Sequence, residues 1–304
     1  MHIPDSMLHG QICPVTAAVS IIGLAAAAYF AFRSEKKPAV LKFAAVSALI
    51  FAGQMMNFSV TNGTSGHLLG GMLASALLGT PFGVLAISII VTIQSLLFSD
   101  GGVAALGANI LNMALIGAGV TGVLFDYISK KTSGKILGYI NIVTLSWISI
   151  MFASFACSVE LAISGAIDLY KVVPAMLGIH ALIGIGEAII TLVLYFVFSL
   201  EHIADSPRWN IGLPIVLSAL TALLFSPFAS SFPDGLEWVA EKYKFIDQAA
   251  PAFVSPLTDY SVANLNNSFI STGLAGLVGV AVTFITVYIC GVIFSSQRKL
   301  PIEY

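Results

Sequence analysis

Apolar runs of about the length of a membrane-crossing helix dominate the hydropathy pattern of this chain. Such a helix needs about 20 apolar residues, and inside a bilayer its backbone polar groups must be satisfied within the segment itself. The pattern predicts spans near 12–32, 39–57, 67–79, 82–98, 104–125, 137–163, 174–200, 211–230 and 269–294. The third run is short, and only Gly79-Thr80-Pro81 separates it from the fourth. Those two form either a tight helical hairpin or a re-entrant pair. The expected fold is an all-α membrane protein, a polytopic helical bundle. About seven transmembrane helices fall in residues 1–205 and two more in residues 206–304, the break following Asp205-Ser206-Pro207. The last two spans flank a polar stretch, 231–268, that reads as a lid-like loop.

Composition agrees with the pattern. Only 9% of residues are charged and 58% are hydrophobic, with a mean hydropathy of +0.95; a soluble domain carries about 25% charged residues. A net charge of −2 without clustered basic residues excludes nucleic acid as a partner and leaves the lipid bilayer as the surroundings. Cys13, Cys157 and Cys290 each lie in an apolar run and are expected as buried thiols, not a disulfide framework. The opening Met1-His2-Ile3-Pro4-Asp5, with no Lys or Arg before Arg33, lacks the form of a cleavable signal, so these residues are expected in the mature protein.

Basic residues orient the bundle, because Lys and Arg collect in cytoplasmic loops. With the N-terminus outside, the inner loops hold Arg33, Lys36, Lys37, Lys42, Lys130, Lys131, Lys135, Arg208, Arg298 and Lys299. The outer ones keep Lys171, Lys242 and Lys244. The expectation is a multi-pass plasma-membrane protein, N-terminus outside and C-terminus cytoplasmic. Gly66-His67-Leu68-Leu69-Gly70 and the series Gly273, Gly276, Gly279 read as places where helix backbones approach closely.

This topology puts His2 and His67 on one face, and His at position 2 has a particular chemistry. A free α-amine (Met1), the His2 amide nitrogen and the His2 imidazole Nδ1 can close successive chelate rings around one ion. An imidazole from His67 would supply a fourth corner. A square-planar nitrogen set favours Ni(II) or Cu(II) over tetrahedral Zn(II) or oxygen-seeking Mg(II) and Ca(II). An α-amine ordinarily titrates near about 8, so capture must displace a proton and weakens in acid. The alternative is a disordered His2 and a packed or capping His67. Further polar groups lie at membrane depth, where they mark functional sites: His180 and Glu187, seven apart on one face of the seventh span, and Gln94, Asp100, Asn109 and Asn112 around the loop between the fourth and fifth. The favoured role for these is interhelical hydrogen bonding that positions the loops.

Four motifs in order resemble the NikM/CbiM family, the substrate-binding (S) component of energy-coupling-factor nickel/cobalt transporters. They are Met-His-Ile-Pro-Asp at 1–5, Gly-Thr-Ser-Gly-His-Leu-Leu-Gly-Gly at 63–71, the paired stretches 94–102 and 105–113, and Ile-Gly-Ile-Gly-Glu-Ala at 183–188. Pro233-Asp234-Gly235-Leu236-Glu237 resembles the PDGLE motif of the small accessory component, so the chain looks like a fusion of the two. Departures are Ser6-Met7, where the family commonly has Gly-Phe, and His180-Ala181-Leu182, where it has His-Leu-Pro. The resemblance implies a seven-helix unit whose N-terminus tucks into the bundle and holds the metal through the Met1 amine, the His2 amide and imidazole, and the His67 imidazole. It also implies partners: a transmembrane coupling (T) component and cytoplasmic ATPase subunits. In keeping with that, no phosphate-binding loop occurs, since Ser133-Gly134-Lys135 is followed by Ile136. A zinc-hydrolase motif is also absent, and no enzymatic activity is expected. A self-sufficient secondary transporter is the rival reading. Nickel against cobalt stays open, including cobalt uptake for cobalamin synthesis: the planar site favours Ni2+, but relatives with these motifs serve both.

Overall fold

The computed structural model of the chain describes residues 1–61, 63–200, 203, 205–246 and 255–296. Arg298 and Lys299, which enter the sequence reading, lie outside the described residues. Among the described residues, seven helices are long and apolar enough to cross a membrane. They are α1 (Ile12–Arg33), α4 (Thr80–Phe98), α5 (Leu106–Ser129), α6 (Lys135–Ile163), α7 (Leu169–Phe198), α8 (Arg208–Phe228) and α10 (Ser268–Ser296). Each coincides with a predicted run. Their outward faces, with residues such as Ile21, Ile22, Phe30 and Ile285, are exposed and apolar, as a lipid-facing surface requires.

Two predicted runs come out shorter. The second is α2 (Val40–Gln54), of 15 residues. The third is corrected more sharply: α3 (Gly71–Leu78) has eight residues, about 12 Å of helix, and is no span. Residues 67–70 stay outside the helix, Gly70 enters it in the left-handed region (φ 73°) and Gly79 leaves it at φ 87°. The close-approach reading divides accordingly. Gly66 lies in a short strand, not a helix. Gly279 is a true helix contact, since a Cβ there would lie 2.1 Å from Phe51.

The core runs around α2, where every residue from Phe43 to Ala52 is buried. A helix apolar on all sides is an interior helix, and both α8 and α10 pack against this one, so the last third of the chain encloses the first. Beyond α2, strands β1 (Phe58–Ser59) and β2 (Ser65–Gly66) pair antiparallel. This hairpin, the N-terminus, α9 (Gly235–Tyr243) and a turn at Thr258–Tyr260 meet at one end of the bundle.

Candidate metal centre

The first residues are threaded into the protein. Asn109 Oδ1 accepts from Ile3 N at 2.8 Å and its Nδ2 donates to Ile3 O at 3.0 Å, so one amide side chain grips both polar groups of Ile3. Gly102 N also donates to Ile3 O at 2.9 Å. Asp5 Oδ1 takes Ala104 N at 2.7 Å. Ile3 and Met7 are fully buried. The fit tolerates no side chain at Gly102, where a Cβ would lie 2.1 Å from Asp5 Oδ1.

This threading carries the α-amine to His67. The Met1 ammonium lies 2.7 Å from His67 Nε2 and 2.5 Å from Asp234 Oδ2. His67 Nδ1 lies 3.0 Å from Leu68 O; donating there fixes the tautomer that leaves the Nε2 lone pair facing the amine. Burial, with the ammonium beside it, lowers the His67 pKa from 6.5 to about 3, so the ring is neutral, the form a metal takes. The loop bearing His67 is anchored by Glu187, whose carboxylate accepts from Leu69 N at 2.6 Å and Gly70 N at 3.0 Å.

His2 is buried and its ring stacks on His67, centroids 5.2 Å apart. Nδ1 lies 3.0 Å from Asp100 Oδ1 and Nε2 lies 3.1 Å from Gln94 Oε1. Both ring nitrogens are thus engaged, and closing a chelate ring on Nδ1 requires the imidazole to turn. Burial pushes the Asp100 carboxyl up, but the His2 ring and the Tyr260 hydroxyl outweigh that and hold it below the usual carboxylate range.

The Pro-Asp-Gly-Leu-Glu stretch closes the centre from above. Pro233 O accepts from Ser65 N at 2.9 Å and Thr64 Oγ1 at 3.2 Å, docking it on the hairpin before His67. Asp234 Oδ1 caps α9 by accepting from Leu236 N and Glu237 N, while Glu237 Oε2 reaches back to Asp234 N at 3.2 Å. The result is a capping box. The other Asp234 oxygen is then free for the Met1 amine. Burial raises its carboxyl, yet the ammonium beside it more than reverses this and keeps it low. Gly235 lets α9 lie on α7: a Cβ there would come within 2.9 Å of the His180 ring.

A cavity of about 530 Å³ opens beside these groups, lined by His2 and His67 and by Asp100, Asp234, Glu237 and Asp259. Four carboxylates at its wall favour a cation. Among the described residues no three His, Cys, Asp or Glu side chains converge to hold a metal. Of the other polar groups singled out by sequence, Gln94 and Asp100 touch His2, and Asn109 holds the N-terminal segment. Glu187 holds the His67 loop. Asn112 bonds Glu160 at 2.6 Å, and His180 Nδ1 lies 2.8 Å from Met176 O. Sequence reasoning missed Asp234 and Tyr260 as members of the centre. The signal available for Asp234 was an acidic residue in a motif assigned to the same face as both histidines; Tyr260 had none.

Residues 2–206 match CbiM, the cobalt uptake substrate-specific transmembrane region, and residues 208–296 match the PDGLE domain. A putative fused nickel transport protein NikMN of Archaeoglobus fulgidus is 30% identical over 294 residues, 93% of this chain and 95% of that protein. A putative metal transport protein of Haloquadratum walsbyi is 37% identical over 206 residues, 64% of this chain and 88% of that one. The crystal structure of a truncated transition metal transporter superposes with a TM-score of 0.58 at 31% identity, covering 66% of this chain and 99% of its own. A multi-pass helical membrane protein with this match over two thirds of its length, and with a relative alike from end to end, belongs to the CbiM family and carries a PDGLE domain fused behind it.

Proposed function

We propose that the chain is the substrate-specific membrane component of an ATP-driven energy-coupling-factor transporter, and that it captures Ni2+, with Co2+ as the second substrate. Residues 1–205 supply the ligands: the Met1 amine, the His2 amide and Nδ1, and His67 Nε2. Residues 206–304 cover them. A coupling component and ATPase subunits drive uptake. Relatives named for nickel and for cobalt transport support the substrate class. The observation that carries the site is the Met1 amine lying 2.7 Å from the lone pair of a neutral, buried His67. That donor set is nitrogen only, with its amine and amide adjacent in the chain, the arrangement that suits square-planar Ni(II).

The test is calorimetric titration of Ni2+ into protein beginning at Met1 and into protein with one residue added ahead of it. The addition moves the histidine to position 3, changes the chelate ring pattern and pushes extra chain into a site filled by the native terminus. Binding should be lost in the extended form and in an acetylated one, and a C-terminal tag should leave it intact. His2→Ala, which forfeits the imidazole and the ring that holds the amide nitrogen, should be worse than His67→Ala. Undiminished affinity in the acetylated protein, which has no free amine, would end this reading.

A further inference from the structure

We propose that Tyr260 is a positioning residue for His2, acting through Asp100 and Gln94 to hold the imidazole in an orientation that metal capture must undo. The inference rests on His2 Nδ1 being a ligand, as proposed above. In the structure Nδ1 is turned to Asp100 Oδ1 at 3.0 Å, and Nε2 to Gln94 Oε1 at 3.1 Å. One phenol ties those two partners together. The Tyr260 hydroxyl donates to the other Asp100 oxygen, Oδ2, at 2.6 Å and accepts from Gln94 Nε2 at 3.2 Å. Asp100, Gln94 and Tyr260 thus form a closed set of hydrogen bonds around the far side of the His2 ring.

Tyr260 is itself firmly placed. Its ring stacks on Phe98 at 4.6 Å and lies 6.3 Å from Phe51, so it is seated on α4 and α2. The turn that delivers it is pinned to the same helix, Leu257 N donating to Leu97 O at 2.9 Å. Asp259 and Tyr260 both take positive φ, 52° and 53°, a pairing that non-glycine residues keep only where the surroundings hold them. The turn belongs to the stretch matched by the PDGLE domain, 258 residues from His2. The fused domain therefore reaches the proposed ligands at two points: Asp234 on the Met1 amine, and Tyr260, through Asp100, on the His2 ring.

A hydrogen bond that fixes the carboxylate fixes what the carboxylate holds. For Nδ1 to close a chelate ring it must leave Asp100, and the better Asp100 is held, the slower that exchange. Tyr260→Phe keeps the stacked ring and removes the tie. Stopped-flow mixing of Ni2+ with the full-length protein, followed through the absorbance of the nitrogen chelate, should show loading about five- to ten-fold faster in Tyr260→Phe, with the release rate unchanged. Asp100→Asn, which weakens the acceptor for Nδ1, should shift loading in the same direction. A merely structural tyrosine would lower thermal stability and leave loading unchanged or slower; that result in both variants overturns the proposal. His2→Ala separates the two levels. Lost binding there with unaltered loading in Tyr260→Phe overturns the positioning role alone, and retained binding in His2→Ala overturns the ligand assignment and this inference with it.

Discussion

A primary amine, a main-chain amide and an imidazole must each reach a different protonation state before they hold a metal. At this centre the Met1 nitrogen is an ammonium paired with Asp234, and an amide nitrogen becomes a ligand only by losing its hydrogen. His67 is already neutral. Exchanging one ammonium proton for a dication bound to an amidate leaves the local charge at about +1 in both states, so Asp234 serves as counter-ion to either. Ni2+ capture should therefore release at least two protons, one from each main-chain nitrogen. Calorimetry in buffers of different ionisation enthalpy counts them, and a release near zero would exclude amine and amide ligation. The two histidines were legible at this scale because the chemistry of a position-2 histidine is local to the chain. Asp234 was legible only as a motif, because its second oxygen meets the amine through the fold alone. Tyr260 is an ordinary aromatic until the turn at 258–260 sets it on Phe98.

At the scale of elements, periodicity located the long helices well and failed where backbone conformation decided. The run at 67–79 is apolar throughout, yet Glu187 takes up the Leu69 and Gly70 amides and so holds the start of the run outside helix α3, which is what frees His67 to face the amine. Hydropathy does not register a hydrogen bond to a helix four elements away. The N-terminal segment is the converse case: hydropathy says nothing of so short and irregular a stretch, which the motif resemblance alone tucked into the bundle, and it is fixed by side chains and by a close approach. Asn109→Ala removes two hydrogen bonds from Ile3 and leaves buried main-chain groups unpaired, at about 1–3 kcal/mol each. Gly102→Ala forces Asp5 aside. Both should weaken Ni2+ binding by about 10- to 100-fold, as loss of a group that orients a ligand does, without touching any ligand atom. Native affinity in Gly102→Ala would mean that the threaded segment does not set the position of Met1.

Among the described residues the candidate site lies at one end, with seven helices of membrane-crossing length beneath it. The buried α2 is wrapped by α8 and α10, so the two family regions share one core, and the loop between α8 and α10 is delivered to the N-terminus by that packing. Sequence order alone separated the regions; their interpenetration follows from an apolar α2 and from Gly279, where Phe51 fills the space of a side chain. Such an arrangement is suited to capture: an acidic cavity beside a nitrogen site, covered by a capped helix and a pinned turn. Concentrating an ion is a separate task that needs an energy source. The sequence has no phosphate-binding loop, and two of the carboxylates that line the cavity, Asp234 and Asp100, are engaged in holding the Met1 amine and His2. Reconstituted alone into liposomes, the chain should bind Ni2+ yet show no accumulation against a gradient, with or without an imposed proton or sodium gradient. Addition of a coupling component with ATPase subunits and ATP should produce uptake. Concentrative transport by the chain alone, driven by either ion gradient, would replace the proposed mechanism with secondary transport.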